Sequence, residues 1–224
     1  MPVSAVIFDF DGVLANTELL HLRAIQDALA AHGRELDERV YFDRYLGFGD
    51  RDVFFELARD LHWTLDAAAI EAMMALKADR YRHHLAAGNA LYPAAAACVQ
   101  GLAGRYALAI ASGSLRAEIH DILTAGGLRH AFRAIVGADD VTNGKPAPDS
   151  YVRAATLLGV DPAAAVAIED SRWGLESARA AGMRTIALTT NYAAPALSIA
   201  DLIVGSLAEI SPAVIDAIPI HIDD

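Results

Sequence analysis

The feature that most constrains this chain is a short apolar segment that runs directly into two aspartates and a glycine. Residues 3–8 are mostly apolar and rich in β-branched side chains, which predicts a short buried strand. Asp9, Asp11 and Gly12 follow this segment. Because residues i and i+2 of a strand share a face, both carboxylates are expected to point the same way at the carboxyl end of the strand. Open parallel sheets place their ligand crevice at that end.

Two carboxylates this close together repel each other unless a cation lies between them or one of them carries a proton. The segment is therefore either a strand that ends in an Asp-rich turn or a site for a hard metal ion with a carboxylate nucleophile. Polar residues further along the chain favour the second interpretation.

Size and charge exclude several classes of protein. Of the 224 residues, 54% are hydrophobic and 21% are charged, so the chain can bury the core of one large domain or of a domain with an insertion. The net charge of −11 argues against a nucleic-acid partner, which needs clustered Lys and Arg. The single cysteine, Cys98, excludes an internal disulfide and fits a reducing compartment. No uncharged apolar stretch is long enough for a membrane span, and the early charge at Asp9 argues against a signal peptide, so we expect a cytoplasmic protein.

The order of predicted elements indicates an α/β fold, with a Rossmann-like parallel sheet core and an inserted α-helical cap domain. Apolar residues recur at helical spacing between residues 17 and 85, where no strand is predicted. Helices and strands alternate from residue 94 onward, which is typical of a parallel sheet covered by helices on both faces. We predict a core domain of residues 1–15 and 89–224 and a cap domain of residues 16–88, joined by two linkers as a hinged lid.

The boundaries of the elements follow from the same patterns. Thr17 is predicted to cap the first helix, and the tail from Pro219 is expected to be loose. The predicted strands cover residues 3–8, 107–111, 134–136, 165–168, 185–188 and 202–204. The predicted helices cover residues 17–32, 38–46, 50–61, 66–85, 94–101, 115–125, 150–158 and 175–181, before a C-terminal helical segment.

Polar residues follow the predicted strands or lie in a constrained loop. Ser112 and Gly113 begin a helix after the strand at 107–111, where backbone N–H groups and the helix dipole favour an anion. Glu169 and Asp170 follow the strand at 165–168. Lys145 lies in a loop stiffened by the prolines that follow it. Each residue alone fits a helix cap or a solvated loop, but their joint placement favours a site.

Carboxylates that converge at one sheet edge need a divalent cation, and Mg²⁺ suits ligands that are all oxygen atoms. Asp9 and Asp170 are the predicted direct ligands, with Glu169 in the outer shell. A phosphoryl group between the metal, Ser112 and Lys145 would have its charge neutralised, so that an aspartate can attack phosphorus and form an aspartyl-phosphate. Asp11 is better suited to act as general acid for the leaving oxygen and then as base for the hydrolytic water.

The chain resembles the haloacid dehalogenase superfamily, in the branch with a helical cap inserted after the first motif. Four motifs carry the resemblance: Asp9-Phe10-Asp11-Gly12-Val13, Ser112, Lys145-Pro146 and Glu169-Asp170. It implies Asp9 as nucleophile, Asp11 as acid and base, and Ser112 and Lys145 as phosphate ligands. It also implies Mg²⁺ on Asp9, the main-chain carbonyl of Asp11 and Asp170. Members that act on phosphate esters keep a carboxylate at the place of Asp11, whereas dehalogenases and phosphonate hydrolases lack it.

Within the superfamily, the chain is similar to β-phosphoglucomutases and their phosphatase relatives. Thr17, His21, Arg51 and Lys77 correspond to, or lie near, positions where those mutases carry cap residues that contact the substrate. The sequence departs from the mutase pattern, because Leu46-Gly47 stands where the mutases have Lys-Gly and one extra residue precedes Arg51. The alternative interpretation is that Arg51 and Lys77 are solvated charges on helix surfaces.

These observations predict a Mg²⁺-dependent phosphatase that acts on a small phosphorylated metabolite, for example a sugar phosphate. The alternatives are a β-phosphoglucomutase-type sugar phosphomutase and a catalytically idle binding protein with the same fold. We expect no nucleic-acid or membrane partner and a monomer or weak dimer.

Overall fold

Six parallel strands form one sheet, and their order explains where the polar strand ends meet. The structure is a computed structural model that describes residues 2–45, 50–86 and 90–219. The strands are β1 (Ala5–Phe8), β2 (Ala107–Ala111), β3 (Ala134–Val136), β4 (Ala165–Glu169), β5 (Arg184–Leu188) and β6 (Leu202–Val204). They lie in the order β3-β2-β1-β4-β5-β6, and every neighbouring pair is parallel.

The first strand occupies the middle of the sheet. It pairs with β2 on one side and with β4 on the other, so that Phe8 lies between Ile110 and Ile168. The chain builds outward from β1 through β2 to β3, and then crosses to β4, β5 and β6. The strand order therefore reverses next to β1, and ligands of open α/β sheets bind at the carboxyl ends of the strands at such a point.

Small side chains let helices approach the sheet closely. On one face, Ile7 belongs to a buried cluster with alanines of the neighbouring strands and with Tyr151 and Ala154 of a covering helix. Phe8 points to the opposite face, because side chains alternate along a strand, and its ring meets that of Phe132 edge-on at 5.9 Å. Both faces of the strand are buried, which explains its continuous apolar sequence.

The chain divides into two compact units, residues 1–16 with 90–224 and residues 17–89. The first unit holds the sheet together with the helices α5 (Ala95–Ala103), α6 (Arg116–Ala125), α7 (Asp149–Leu158), α8 (Arg172–Ala180) and α9 (Pro212–Ala217). The second unit is helical and contains α1 (Glu18–Ala30), α2 (Glu38–Arg44), α3 (Asp50–Asp60) and α4 (Ala67–Ala86). Its core contains Leu22, Ile25 and Leu29 of α1, spaced three and four residues apart as one face of a helix requires.

The predicted α/β fold with a Rossmann-like parallel sheet is confirmed. Several element boundaries differ from the prediction by one to three residues. The first strand begins at Ala5 rather than residue 3. Helix α8 begins three residues early, because the hydroxyl of Ser171 accepts a hydrogen bond from the Gly174 N–H and caps it there. The predicted cap by Thr17 is wrong: its backbone already has helical angles, and its side chain makes no capping hydrogen bond.

Some predictions fall outside the described residues, namely those on Leu46-Gly47, on the second linker at 88–89 and on the tail beyond Pro219. None of the helices that the structure describes is long and apolar enough to cross a membrane.

Candidate active site

Three acidic side chains meet at the carboxyl ends of β1 and β4. Asp9 directly follows β1, and its N–H donates to the carbonyl of Ile168 at 2.8 Å, which aligns the ends of the two strands. Glu169 ends β4 and Asp170 follows it. One carboxylate oxygen from each of Asp9, Glu169 and Asp170 lies within 4.8 Å of the others, and all three residues are buried. The structure therefore brings these predicted site residues together.

Lys145 reaches this cluster from the loop before α7. Its Nζ donates to Asp9 Oδ1 at 2.7 Å and to Glu169 Oε1 at 2.6 Å, and lies 5.0 Å from the centre of the Tyr151 ring. Burial acts to lower the lysine pKa, but the charges of Asp9 and Glu169 outweigh it and raise the pKa well above its ordinary value. Lys145 is therefore a fixed ammonium ion beside the predicted nucleophile.

Glu169 organises the surrounding loop. It is fully buried, and its Oε1 accepts hydrogen bonds from Lys145 and, at 3.1 Å, from the hydroxyl of Tyr151. Its Oε2 accepts from the backbone N–H groups of Asp170 and Ser171 and from the Ser171 hydroxyl, at 2.9 to 3.0 Å. Five donors occupy the two oxygens, which supports the prediction that Glu169 acts from the outer shell of a metal rather than as a direct ligand.

The carboxylate of Asp11 faces a different set of groups. Its Oδ2 accepts hydrogen bonds from the Ser114 hydroxyl at 2.6 Å and from the Ser112 hydroxyl at 3.1 Å. The Ser112 oxygen also accepts from the Ser114 N–H at 3.0 Å, so the loop after β2 is tied to Asp11 by both serines. Gly113, predicted as a phosphate ligand, lies between them and is exposed. The phosphate-binding roles of Ser112 and Gly113 stay predictions.

Two features of the structure require a glycine at position 12, in the loop after β1. Its φ is +77°, a left-handed conformation that side chains disfavour. A Cβ on Gly12 would also collide with the carboxylate of Asp170 and come within 2.6 Å of Asn191 Nδ2. That amide donates to Asp170 Oδ2 at 2.8 Å. Glycine therefore permits the close approach of the first loop to the end of β4.

The donor set fits a divalent metal ion. Burial raises the pKa of Asp9 to about 8, against the opposing effect of Lys145, and the charges of Glu169 and Asp11 add to the rise. Burial also raises the pKa of Asp170 well above its ordinary value, with further contributions from Glu169 and Asp9. Three buried carboxylates face one ammonium ion, and a divalent cation with oxygen ligands would neutralise the excess negative charge.

The predicted cap residues lie in the helical unit. Lys77 is 2% exposed, and its Nζ lies 2.7 Å from His21 Nδ1 and 5.1 Å from the centre of the Tyr81 ring. Thr17 is fully buried. The alternative of Lys77 as a solvated helix charge is therefore wrong.

Arg51 has a different environment. Its guanidinium forms an ion pair with Glu71 at 2.9 Å, with both side chains about half exposed. A surface pair of this kind contributes little to stability and leaves Arg51 able to exchange partners.

Sequence reasoning missed three residues of the carboxylate site: Ser114, Asn191 and Tyr151. Ser114 follows Ser112 and Gly113 directly in the sequence, but no pattern marks it as a partner of Asp11. Asn191 belongs to the polar run Thr189-Thr190-Asn191 that follows β5, so the rule that polar residues at strand ends form the site could have identified it. Tyr151 lies within α7 and carries no comparable signal.

The similarity to known proteins agrees with this geometry. The family model described as haloacid dehalogenase-like hydrolase matches residues 6–188. Protein CbbY of Rhodobacter capsulatus is 35% identical over 199 residues, which cover 86% of this chain and 88% of that protein. Fructose-1-phosphate phosphatase YqaB of Escherichia coli (strain K12) is 31% identical over 192 residues, which cover 82% of this chain and 95% of that protein.

A solved structure shows the same likeness in three dimensions. A variant of CbbY from Rhodobacter sphaeroides in complex with xylulose 1,5-bisphosphate has a TM-score of 0.82 and 31% identity, and the match covers 96% of this chain and 99% of that chain. The chain therefore belongs to the haloacid dehalogenase-like hydrolases. Within that family it is a phosphatase, a hydrolase of phosphoric monoesters, and the predicted family and enzyme class are confirmed.

Proposed function

We propose that this phosphatase hydrolyses a small sugar phosphate, with Mg²⁺ as its cofactor and an aspartyl-phosphate on Asp9 as its intermediate. The observation that carries the proposal is the position of Lys145, whose Nζ lies 2.7 Å from Asp9 Oδ1 beside the carboxylate cluster. The similarity to YqaB, named as a fructose-1-phosphate phosphatase, and to a CbbY variant in complex with xylulose 1,5-bisphosphate supports the sugar-phosphate class.

The first half of the reaction takes place at Asp9. Asp9 and Asp170 would hold Mg²⁺ together with the main-chain carbonyl of Asp11, and the metal would supply charge neutralisation for the transferred phosphoryl group. Lys145 and Ser112 bind phosphate oxygens. A carboxylate oxygen of Asp9 bonds to phosphorus, and the ester P–O bond breaks. Asp11 gives a proton to the leaving sugar oxygen, which departs as an alcohol.

The second half restores the enzyme. Asp11, now ionised, takes a proton from a water molecule, whose oxygen attacks the phosphorus of the aspartyl-phosphate. The bond between phosphorus and the Asp9 oxygen breaks, which releases inorganic phosphate and regenerates the carboxylate. The Ser114 hydroxyl holds Asp11 at the end of the loop, where it can serve both steps, while the Ser112 hydroxyl turns from Asp11 to the phosphate.

The helical unit is proposed to act as a cap that supplies substrate contacts. Lys77 is the cation that supports this, because it is buried beside His21 rather than solvated. Thr17 and Arg51 are proposed to contribute to the same substrate site. The phosphomutase alternative depends on these residues as well, because a mutase must retain and reorient a bisphosphorylated sugar.

The proposal is tested by phosphate release from fructose 1-phosphate. The parent enzyme is expected to release phosphate with Mg²⁺ and to lose activity in EDTA, and beryllium fluoride with Mg²⁺ is expected to inhibit it. Asp9→Asn should abolish turnover because the amide is a poor nucleophile. The matched control is Asp43→Asn, an exposed aspartate on α2, which should retain parent activity.

Phosphate release by Asp9→Asn at the parent rate would refute the assignment of Asp9 as nucleophile. Full activity in EDTA would refute the requirement for Mg²⁺. The mutase is distinguished by incubation with β-glucose 1-phosphate and a trace of the bisphosphate. Glucose 6-phosphate without free phosphate would establish the mutase in place of the hydrolase.

A further inference from the structure

A second cavity of about 590 Å³ lies beside β3, the strand at one edge of the sheet. Its walls come from α6, from the segment that leads into β3, from the turn after β3 and from Leu157 of α7. None of the residues that line it belongs to the carboxylate site. The charged and titratable residues of the lining are Arg116, His120, Asp121, Arg129, Arg133 and Asp139.

Three arginines line the cavity, and one of them, Arg116, already forms an ion pair with Asp140 at 3.2 Å. Arg133 is exposed and has no ion-pair partner among residues 2–45, 50–86 and 90–219. Arg129 donates through Nη1 to the carbonyl of Phe132 at 2.9 Å, but its Nε is buried and has no acceptor in the described part of the chain. A phosphate in the cavity would offer charged acceptors to the guanidinium groups of Arg129 and Arg133.

The remaining lining residues restrict the kind of anion. Asp121 and Asp139 also line the cavity, and Asp139 Oδ1 already accepts from the Arg116 N–H at 2.9 Å. Two carboxylates repel a bare polyanion, but they accept hydrogen bonds from hydroxyl groups. Guanidinium groups bind phosphate through paired N–H donors, and Ile135 and Leu157 offer apolar contact to a carbon skeleton. The volume is that of a small-molecule site.

We propose that this cavity is a second ligand site, separate from the one at Lys145, that binds a small phosphorylated polyol. Arg129 and Arg133 take the phosphate group, and the aspartates take hydroxyl groups. The site is independent of the reaction at Asp9, so it can be occupied while turnover is blocked.

The test uses the full chain with Asp9→Asn, in which the probe is not consumed, and glucose 6-phosphate as the probe. Backbone amide NMR during the titration should show shifts at residues 117–121 and 133–136. Arg129→Gln with Arg133→Gln should weaken this binding about tenfold or more, because charge-assisted hydrogen bonds to the phosphate are lost. Arg23→Gln, which removes an exposed arginine of the helical unit, is the matched control and should leave the binding unchanged.

Two further titrations test the contributions of the sugar and of the phosphate group to binding. Glucose without phosphate should cause no shift at these amides, and inorganic phosphate should bind more weakly than glucose 6-phosphate. The proposal is overturned if millimolar glucose 6-phosphate leaves the amides of residues 117–121 and 133–136 unshifted. It is also overturned if the double variant binds glucose 6-phosphate as tightly as the protein with Asp9→Asn alone. If the double variant fails to fold, Arg133→Gln alone tests the same point, because its exposed side chain has no ion pair to lose within the described residues. Unchanged affinity in that variant would also overturn the proposal.

Discussion

The hydroxyl of Ser114 is expected to hold Asp11 in position for proton transfer, and Ser114→Ala tests this directly. The hydroxyl makes the shorter of the two hydrogen bonds to Asp11 Oδ2, at 2.6 Å against 3.1 Å for Ser112. Alanine removes it and leaves only the longer bond. The carboxylate would then rotate away from the leaving oxygen for part of the time, and the rate would fall in proportion to the lost population.

The size of the effect follows from this contact. A hydrogen bond to a charged group contributes about 1.5–3 kcal/mol, and each 1.4 kcal/mol is a factor of ten. Loss of the Ser114 bond alone therefore corresponds to a loss of about 10- to 100-fold. Complete removal of the acid and base by Asp11→Asn should cost about 10²–10⁴, the usual contribution of such a group.

The assay compares two leaving groups. The ratio kcat/KM reports on the steps up to departure of the leaving group, which need a proton from Asp11 for a sugar phosphate but not for p-nitrophenyl phosphate. Ser114→Ala should therefore lower kcat/KM for fructose 1-phosphate much more than for p-nitrophenyl phosphate. Ser114→Thr keeps a hydroxyl and should restore most of the loss. An equal fall for both substrates would show that Ser114 supports the loop as a whole and would refute the positioning role.

Two other predictions concern the loop and the metal. Gly12→Ala should lower the free energy of unfolding in urea by clearly more than Gly33→Ala. Both glycines have positive φ, where an alanine costs about 1–2 kcal/mol, but only at Gly12 would the new Cβ also collide with other atoms. Equal losses would refute the close-packing argument. Asn191→Ala should weaken Mg²⁺ binding in calorimetric titrations about 10- to 100-fold, because it removes the donor that orients Asp170, while Asn143→Ala, at an exposed loop amide, should not. Equal Mg²⁺ affinity in both asparagine variants would refute the orienting role.

The convergence of Asp9 and Asp170 could be predicted because it depends on topology, whereas Lys145 reaches them from the loop before α7. Parallel strands put their carboxyl ends at one edge, so polar residues that follow different strands meet there whatever the details of the helices. The alternation of helices and strands after residue 94 was equally informative about the fold, because it is typical of a parallel sheet. The outer-shell role of Glu169 stays a prediction, and its five hydrogen bonds agree with it.

Other parts of the site could not be predicted, because they depend on distances of a few ångströms between loops. The contact of Ser114 with Asp11 needs the path of the backbone after β2. Tyr151 reaches Glu169 from inside a helix, and helical periodicity identifies it only as an apolar position. Thr17 has the right residue type for a helix cap, but its helical backbone angles exclude that role.

The placement of Glu169 has a consequence for how the enzyme releases its product. In the proposed mechanism, Asp9 and Glu169 compensate the charge of Lys145 after phosphate departs, because their carboxylate oxygens lie within 2.7 Å of its Nζ. Inorganic phosphate bound there would share the ammonium group with these two carboxylates, which weakens its hold on the product. This local charge compensation is expected to favour release of the product and return of the enzyme to its free form.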